Sequence, residues 1–139
     1  MKVMVDINIF LDVFQKRIPH YVDSSILLSR ILRKEFKGVI AGHSLTTIFY
    51  LLNKHSGYKK AINIVDLILD HFEIKSANKK MFRYSRDMEI GDFEDAVVSG
   101  CAKFAKCDFI ITRNTSDFRK SQIPAITPSD FLQKYPPKT

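Results

Sequence analysis

Short apolar runs alternate with longer amphipathic segments along the chain, and this alternation is the feature that most restricts its fold. The apolar runs predict strands at 2–6, 38–41, 72–75, 109–111 and 123–126. Apolar residues at helical spacing predict helices at 20–36, 45–54, 58–72, 77–88 and 96–105, with Ser44 as the expected cap of the helix that begins at 45. Such an alternation favours an α/β protein whose sheet is mostly parallel and carries helices on both faces.

The length and composition of the chain are those of one globular domain over residues 1–139. Hydrophobic residues make up 45% of the sequence, enough to fill a core. No apolar run approaches the roughly 18 residues that a bilayer-spanning helix needs, and the N-terminus lacks the pattern of a signal peptide. Cys101 and Cys107 are expected to be buried free thiols, with a disulfide or a metal pair as the alternative. Free thiols fit a reducing cytoplasm.

The charge balance favours a polyanionic partner. There are 22 Lys and Arg residues against 15 Asp and Glu, a formal net charge of +7. An excess of this kind suits nucleic acid, although the basic residues occur as scattered pairs rather than as one tract. The basic residues Lys79, Lys80, Arg83 and Arg86 share one predicted helix, where they either form a solvated face or follow an RNA backbone.

Acidic residues recur where the predicted strands end and the following segments begin. Asp6 closes the first strand, Asp92, Glu94 and Asp95 precede a helix, and Asp117 lies in the polar loop after the fourth strand. Each could be a simple helix cap, since acids suit the positive end of a helix dipole. The carboxyl ends of parallel strands meet at one edge, however, and carboxylates gathered there repel one another unless a cation neutralises them. Oxygen ligands alone favour Mg²⁺ or Mn²⁺.

Four motifs together resemble the PIN domain family, in its VapC-like toxin branch. They are DINIFLD at 6–12, DFEDA at 92–96, FIITRNTSDF at 109–118 and TPSDFL at 127–132, so the resemblance covers nearly the whole chain. It implies a three-layer α/β/α sandwich around a parallel sheet of about five strands. It also implies a cytoplasmic endoribonuclease that uses Mg²⁺ or Mn²⁺ to hydrolyse RNA, acting as the toxin of a toxin–antitoxin pair. Such a toxin forms a homodimer and is silenced by a small antitoxin protein.

The resemblance assigns roles to individual residues. Asp6 falls on the first acid of the family and Asp95 on the third, and both are expected to bind metal and take part in catalysis. Asp117 falls on the fourth acid, with Asn114 as the competing position, and it is expected to bind metal or to orient the attacking water in catalysis. Asn8 matches the asparagine that supports the first acid.

Thr47 is the main departure from the family pattern. It stands where the family usually carries its second acid, a glutamate, and Ile48 is the next position along. A threonine offers a hydroxyl but no charge. Asp92 or Glu94 could compensate, and Asp92 is therefore included in the expected metal site. The alternative function is a catalytically weakened PIN-type protein that binds RNA or regulates.

The loop after the fourth strand is expected to form the rim of the site. Thr112, Arg113 and Asn114 would line it, and Arg113 would contact a phosphate oxygen or else form a surface ion pair. A further alternative is a phosphatase-like hydrolase with Asp6 as its nucleophile. Against this alternative, Asn8 stands where the second acid of the Asp-x-Asp pair would be.

Overall fold

The computed structural model describes residues 1–137, and its centre is a five-stranded parallel sheet in the order β3-β2-β1-β4-β5. The strands are β1 (Lys2–Val5), β2 (Lys37–Ala41), β3 (Glu73–Lys75), β4 (Phe109–Ile111) and β5 (Ala125–Ile126). β1 lies in the middle because it pairs with β2 on one side and with β4 on the other, and all neighbours run parallel. The strand order reverses at β1, which makes the carboxyl end of β1 the expected place for a ligand.

Helices cover both faces of this sheet. They are α1 (Ile7–Phe14), α2 (Tyr21–Leu32), α3 (Gly42–Ser56), α4 (Tyr58–His71), α5 (Lys79–Asp87), α6 (Phe93–Phe104) and α7 (Pro128–Lys134). One core cluster joins α1, α2, α3, α4 and α7 to Val3, Val5 and Ile40. The second cluster joins α5 and α6 to Met4, Val39 and Ile110. Side chains alternate along each strand, so the two clusters lie on opposite faces and the fold has three layers.

Polar side chains fix the starts of four helices. Asp6 accepts the backbone N–H of Ile7 before α1, and Asn78 accepts that of Met81 before α5. Asp92 accepts the N–H groups of two residues in the first turn of α6, and Thr127 caps α7 ahead of its first-turn proline. Each cap satisfies backbone donors that have no partner inside the helix. The acids expected at a site therefore also shape the chain around it.

The structure confirms the predicted fold class and most of the predicted elements. The helix expected at 45–54 instead begins at Gly42, so the expectation that Ser44 caps it is wrong: Ala41 holds the cap position without a side-chain bond, and Ser44 is buried inside the first turn. Cys101 and Cys107 are buried and unpaired, as expected, and burial raises the pKa of these thiols to about 11 and about 12. Within residues 1–137, no helix has the length and apolar character needed to cross a membrane.

Candidate active site

Asp6 lies at the carboxyl end of the central strand and is only 4% exposed. Its Oδ1 accepts the N–H of Ile7 at 2.9 Å, and its Oδ2 accepts the hydroxyl of Thr112 at 2.8 Å. Burial raises the pKa of Asp6, these two hydrogen bonds lower it, and the negative charge of Asp117 raises it further. The Asp6 side chain is therefore held in one orientation by the next residue of the chain and by Thr112, which follows β4.

Thr112 connects Asp6 to the loop that follows β4. Its side chain is fully buried, so the expectation that Thr112 lines an exposed rim is wrong. While its hydroxyl donates to Asp6, the same oxygen accepts the backbone N–H of Asn114 at 3.1 Å. Thr112 directly follows a buried strand, and this is the signal in the sequence that could have placed it inward.

Asp95 is the most electrostatically strained acid of the site. It is partly buried in the first turn of α6, and burial is the largest cause that raises its pKa to about 7. The neighbouring charges of Asp92, Asp6, Asp117 and Glu94 add to the rise, in that order. A charge changes the pKa of Asp95 only if it lies close to it. The three separate acidic segments therefore lie in one region of the fold.

An open cavity of about 560 Å³ exposes part of this acidic region. Asp92, Asp95 and Asp117 line it, together with Arg119 and Lys120. Asp117 belongs to a 3₁₀ helix, Thr115–Phe118, whose start is fixed by a hydrogen bond from the N–H of Asp117 to the carbonyl of Asn114. The two cations were missed at the level of sequence, although they form a basic pair directly after the acidic loop. They give the cavity a rim suited to phosphate.

The carboxylates are close enough to affect the pKa of Asp95, yet they do not converge on a single point. Among residues 1–137, no three Asp, Glu, His or Cys side chains are arranged closely enough to coordinate one metal ion without moving. Asp92 uses Oδ1 to cap α6, with the N–H groups of Glu94 and Asp95 at 2.8 and 3.2 Å. Its second oxygen has no such role. The donor set of Asp6, Asp95 and Asp117 consists of hard oxygens, which fits Mg²⁺ or Mn²⁺ in chemical type.

Arg113 faces inward rather than toward the cavity with the three aspartates. Its Nε lies 2.8 Å from Oδ2 of Asp12, a fully buried carboxylate on α1, and Ser24 approaches the same oxygen at 3.4 Å. Asp12 Oδ1 and Arg113 Nε are both buried, and neither makes a hydrogen bond with a described residue. The contact between Arg113 and Asp12 is therefore an ion pair rather than a well-aligned hydrogen bond. The positive charge of Arg113 also lowers the pKa of Asp6. Arg113 therefore lies between Asp12 of α1, with which it forms an ion pair, and Asp6, on which its charge acts.

Two of the remaining predicted residues have defined surroundings. Thr47 is partly buried in α3, and its hydroxyl donates to the carbonyl of His43 at 3.2 Å, so that hydroxyl is occupied within the helix. It does not line the aspartate cavity. Asn114 is exposed and accepts the N–H of Asp117 through its backbone. Asn8 is partly buried two residues after Asp6.

The geometry disfavours a nucleophilic role for Asp6. Both of its carboxylate oxygens already accept hydrogen bonds, and almost no surface remains for a substrate to reach. An aspartyl nucleophile must meet the atom that it attacks. The arrangement instead suits a carboxyl group with a fixed orientation, close to an open cavity that is lined by other acids.

Comparison with known proteins agrees with this fold. Ribonuclease VapC1 of Aquifex aeolicus (strain VF5) is 26% identical over 141 residues, covering 96% of this chain and 95% of that protein. The structure is similar to VapBC2 from Rickettsia felis bound to a promoter DNA fragment, with a TM-score of 0.71, 16% identity, and coverage of 91% of this chain and 98% of that one. It is also similar to the sarcin-ricin loop cleaving toxin VapC20 of Mycobacterium tuberculosis, with a TM-score of 0.64, 13% identity, and coverage of 78% and 86%. The family model for the PIN domain matches residues 2–116. The chain therefore belongs to the PIN domain family.

Proposed function

We propose that this protein is a metal-dependent endoribonuclease that hydrolyses RNA phosphodiester bonds, and that it acts as the toxin of a toxin–antitoxin pair. The observation that carries the proposal is that Asp92, Asp95 and Asp117 line one cavity, with Asp6 near enough that its charge acts on Asp95. Burial, and then the charges of these carboxylates, raise the pKa of Asp95 to about 7. Membership of the PIN domain family and the relative named ribonuclease support the same activity.

Asp6, Asp95 and Asp117 are the residues that would hold Mg²⁺ or Mn²⁺, with the free oxygen of Asp92 as a further donor. When bound, the cation supplies the Lewis-acid charge that phosphodiester hydrolysis needs. Hydrogen bonds from Thr112 and from the backbone N–H of Ile7 hold the Asp6 side chain in one orientation. Arg119 and Lys120, on the cavity rim, would bind phosphate oxygens and orient the scissile strand.

The test is cleavage of single-stranded and structured RNA by the purified protein in Mn²⁺ or Mg²⁺. We expect cleavage that EDTA abolishes and that Asp6→Asn and Asp95→Asn each reduce by at least about a hundredfold. Asp130→Asn is the matched control, since Asp130 is an exposed acid on α7 that lines neither this cavity nor any other surface proposed to bind RNA. Cleavage that persists in EDTA, or that survives both substitutions, would refute the proposal.

A second candidate is a PIN-type protein that binds RNA or regulates but turns over poorly. The observation in its favour is Thr47, whose hydroxyl is engaged by His43 and which brings no charge to the site. Loss of one carboxylate weakens the attraction for a divalent cation. RNA binding without cleavage over a wide range of Mn²⁺ concentrations would support this candidate over the first.

The expected protein partners are a second copy of the chain and a small antitoxin. The relatives whose structures are VapBC complexes support the antitoxin. For the homodimer, we propose the face of α3 and α4 that exposes Tyr50, Tyr58 and Leu69, which are 52–66% exposed. Light scattering of the isolated chain checks this assignment, because Leu69→Asp should convert a dimer to a monomer.

A further inference from the structure

A second cavity, outside the acidic one, combines aromatic rings with cations. We name it the α5 cleft. It measures about 480 Å³ and is lined by Phe82, Phe93, Lys79, Arg83 and Arg86, among others. No carboxylate belongs to its lining in the part of the chain that the structure describes. Its size is within the range of small-molecule sites.

Phe82 and Phe93 form an exposed aromatic platform in this cleft. Their ring centroids are 6.3 Å apart, their planes differ by 23°, and the two residues remain 44% and 51% exposed. The core clusters include neither ring. Two large apolar rings that pack on each other, and yet keep about half of their surface in water, form the kind of patch that marks a binding site.

The platform rests on a closely packed pair of helices. α5 turns Met81 and Ser85 inward, and the Ser85 hydroxyl donates to the carbonyl of Met81 at 2.8 Å. Gly100 on α6 permits this approach, since a Cβ there would lie 2.5 Å from the Ser85 hydroxyl oxygen. The backbones beneath Phe82 and Phe93 are therefore fixed relative to each other, which lowers the entropy lost when a ligand binds.

The cations around the platform are available to an anion. Lys79 and Arg83 are exposed and form no ion pair with another residue in the range 1–137. Arg86 pairs with Asp87 at 2.9 Å, but both side chains are about two-thirds exposed. An exposed pair of this kind contributes little and yields easily to a stronger anion.

The α5 cleft adjoins the acidic cavity through the start of α6. Phe93, the first residue of α6, lines the cleft, while its neighbours Asp92 and Asp95 line the cavity. A linear ligand bound on the platform could therefore extend into the acidic cavity, because Asp92 and Asp95 lie within one turn of α6 from Phe93. This continuity connects the two surfaces to one function.

We propose that the α5 cleft binds single-stranded RNA, with an unpaired base stacked on Phe82 and Phe93 and adjacent phosphates on Lys79, Arg83 and Arg86. This inference rests on the proposed nuclease function, and it specifies the substrate as a strand whose bases are exposed. Flat aromatic rings stack on any base, and flanking cations follow the phosphate backbone. A duplex hides its base faces, and a peptide of acidic residues has no aromatic ring to stack on the platform.

The test measures binding without turnover. The full chain in EDTA is titrated into a short fluorescein-labelled oligouridylate, and fluorescence anisotropy reports the dissociation constant. We expect Phe82→Ala and Phe93→Ala each to weaken binding about tenfold, within the range that base stacking contributes. Phe82→Tyr keeps a ring and should retain the wild-type affinity. Val22→Ala shortens an exposed apolar side chain on α2, outside both the cleft and the proposed dimer face, and should change nothing.

The salt dependence separates stacking from charge. Arg83→Gln should reduce the slope of the logarithm of affinity against the logarithm of salt concentration by about 0.7, the value for one phosphate contact to a single strand. The two phenylalanine substitutions should lower affinity without changing this slope. Circular dichroism melts of each variant confirm that it is folded.

Three outcomes would overturn the inference. They are equal loss of affinity with Val22→Ala, unchanged binding by both phenylalanine variants, and equally weakened binding of a blunt RNA duplex by those variants. Competition by polyglutamate that is as strong as by unlabelled oligouridylate would assign the cleft to acidic peptides instead. Because binding is measured in EDTA, these results are independent of whether the protein cleaves RNA.

Discussion

Asp95→Asn should make the metal-free protein more stable at neutral and alkaline pH while it removes the proposed activity. The ordinary pKa of an aspartate is 3.8, and that of Asp95 is raised to about 7 by burial and by the surrounding carboxylates. The folded state therefore holds this proton more tightly than the unfolded chain does. The stability that the proton contributes is complete below pH 3.8 and is lost as the pH rises through about 7.

The size of the effect follows from the shift. A rise of about 3 units corresponds to about 4 kcal/mol at 1.36 kcal/mol per unit. Because Asp95 is only partly buried, solvent screening reduces this to about 2 kcal/mol. With roughly 2.1 cal/mol/K of unfolding entropy per residue, 2 kcal/mol corresponds to a rise in Tm of about 7 °C for this chain.

The assay is thermal unfolding of wild type and Asp95→Asn in EDTA, at pH 8 and at pH 4. We expect the variant to melt about 7 °C higher at pH 8 and close to wild type at pH 4, where Asp95 is protonated in both states. Mn²⁺ at pH 8 should then stabilise wild type and leave the variant unchanged. Asp87→Asn is the control and should stay within about 0.5 kcal/mol at either pH. A variant that is less stable than wild type at pH 8, or a difference that does not depend on pH, would refute the reasoning.

Three further substitutions probe the supports of the site. Thr112→Val removes the hydroxyl that donates to buried Asp6, so it should reduce stability at pH 8 by about 2 kcal/mol and raise the metal concentration needed for cleavage, measured by melting and by Mn²⁺ titration. Arg113→Met leaves buried Asp12 without its cation and should cost about 3 kcal/mol in denaturant unfolding, a loss that Asp12→Asn in the same chain partly reverses. Thr47→Glu adds a carboxylate at the position that the resemblance assigns to the second acid, and it should lower the half-saturating Mn²⁺ concentration; an unchanged value would place Thr47 outside the metal site.

The fold could be predicted from the sequence because its signals are local and agree with one another. Apolar runs such as Phe109–Ile111 are short and bounded by polar turns, and the helices between them carry apolar stripes. The boundaries were less accurate where a cap lacks a side-chain signal. α3 begins at Gly42, directly after the last residue of β2. Ser44 has the side chain of a typical helix cap but lies inside the first turn, so it wrongly indicated a later start.

The acids of the candidate site can be picked out from the sequence, whereas the hydrogen bonds around them cannot. Acids that follow strands or precede helices are visible in the sequence, and the structure brings Asp6, Asp95 and Asp117 into mutual influence. The inward direction of Thr112 and the pairing of Arg113 with Asp12 depend on how α1 packs beside the loop after β4. Those contacts span about a hundred residues, and no local pattern specifies which polar side chain turns inward.

The central position of β1 also has a consequence for how the protein is made. Asp6 leaves the ribosome early, but Thr112, the residue that holds it, follows 106 positions later, and the β4 strand beside β1 is equally late. A nascent or truncated chain that lacks this segment has neither the sheet neighbour nor the hydroxyl that orients Asp6. The proposed cleavage activity is therefore expected only once the chain has been synthesised beyond Thr112.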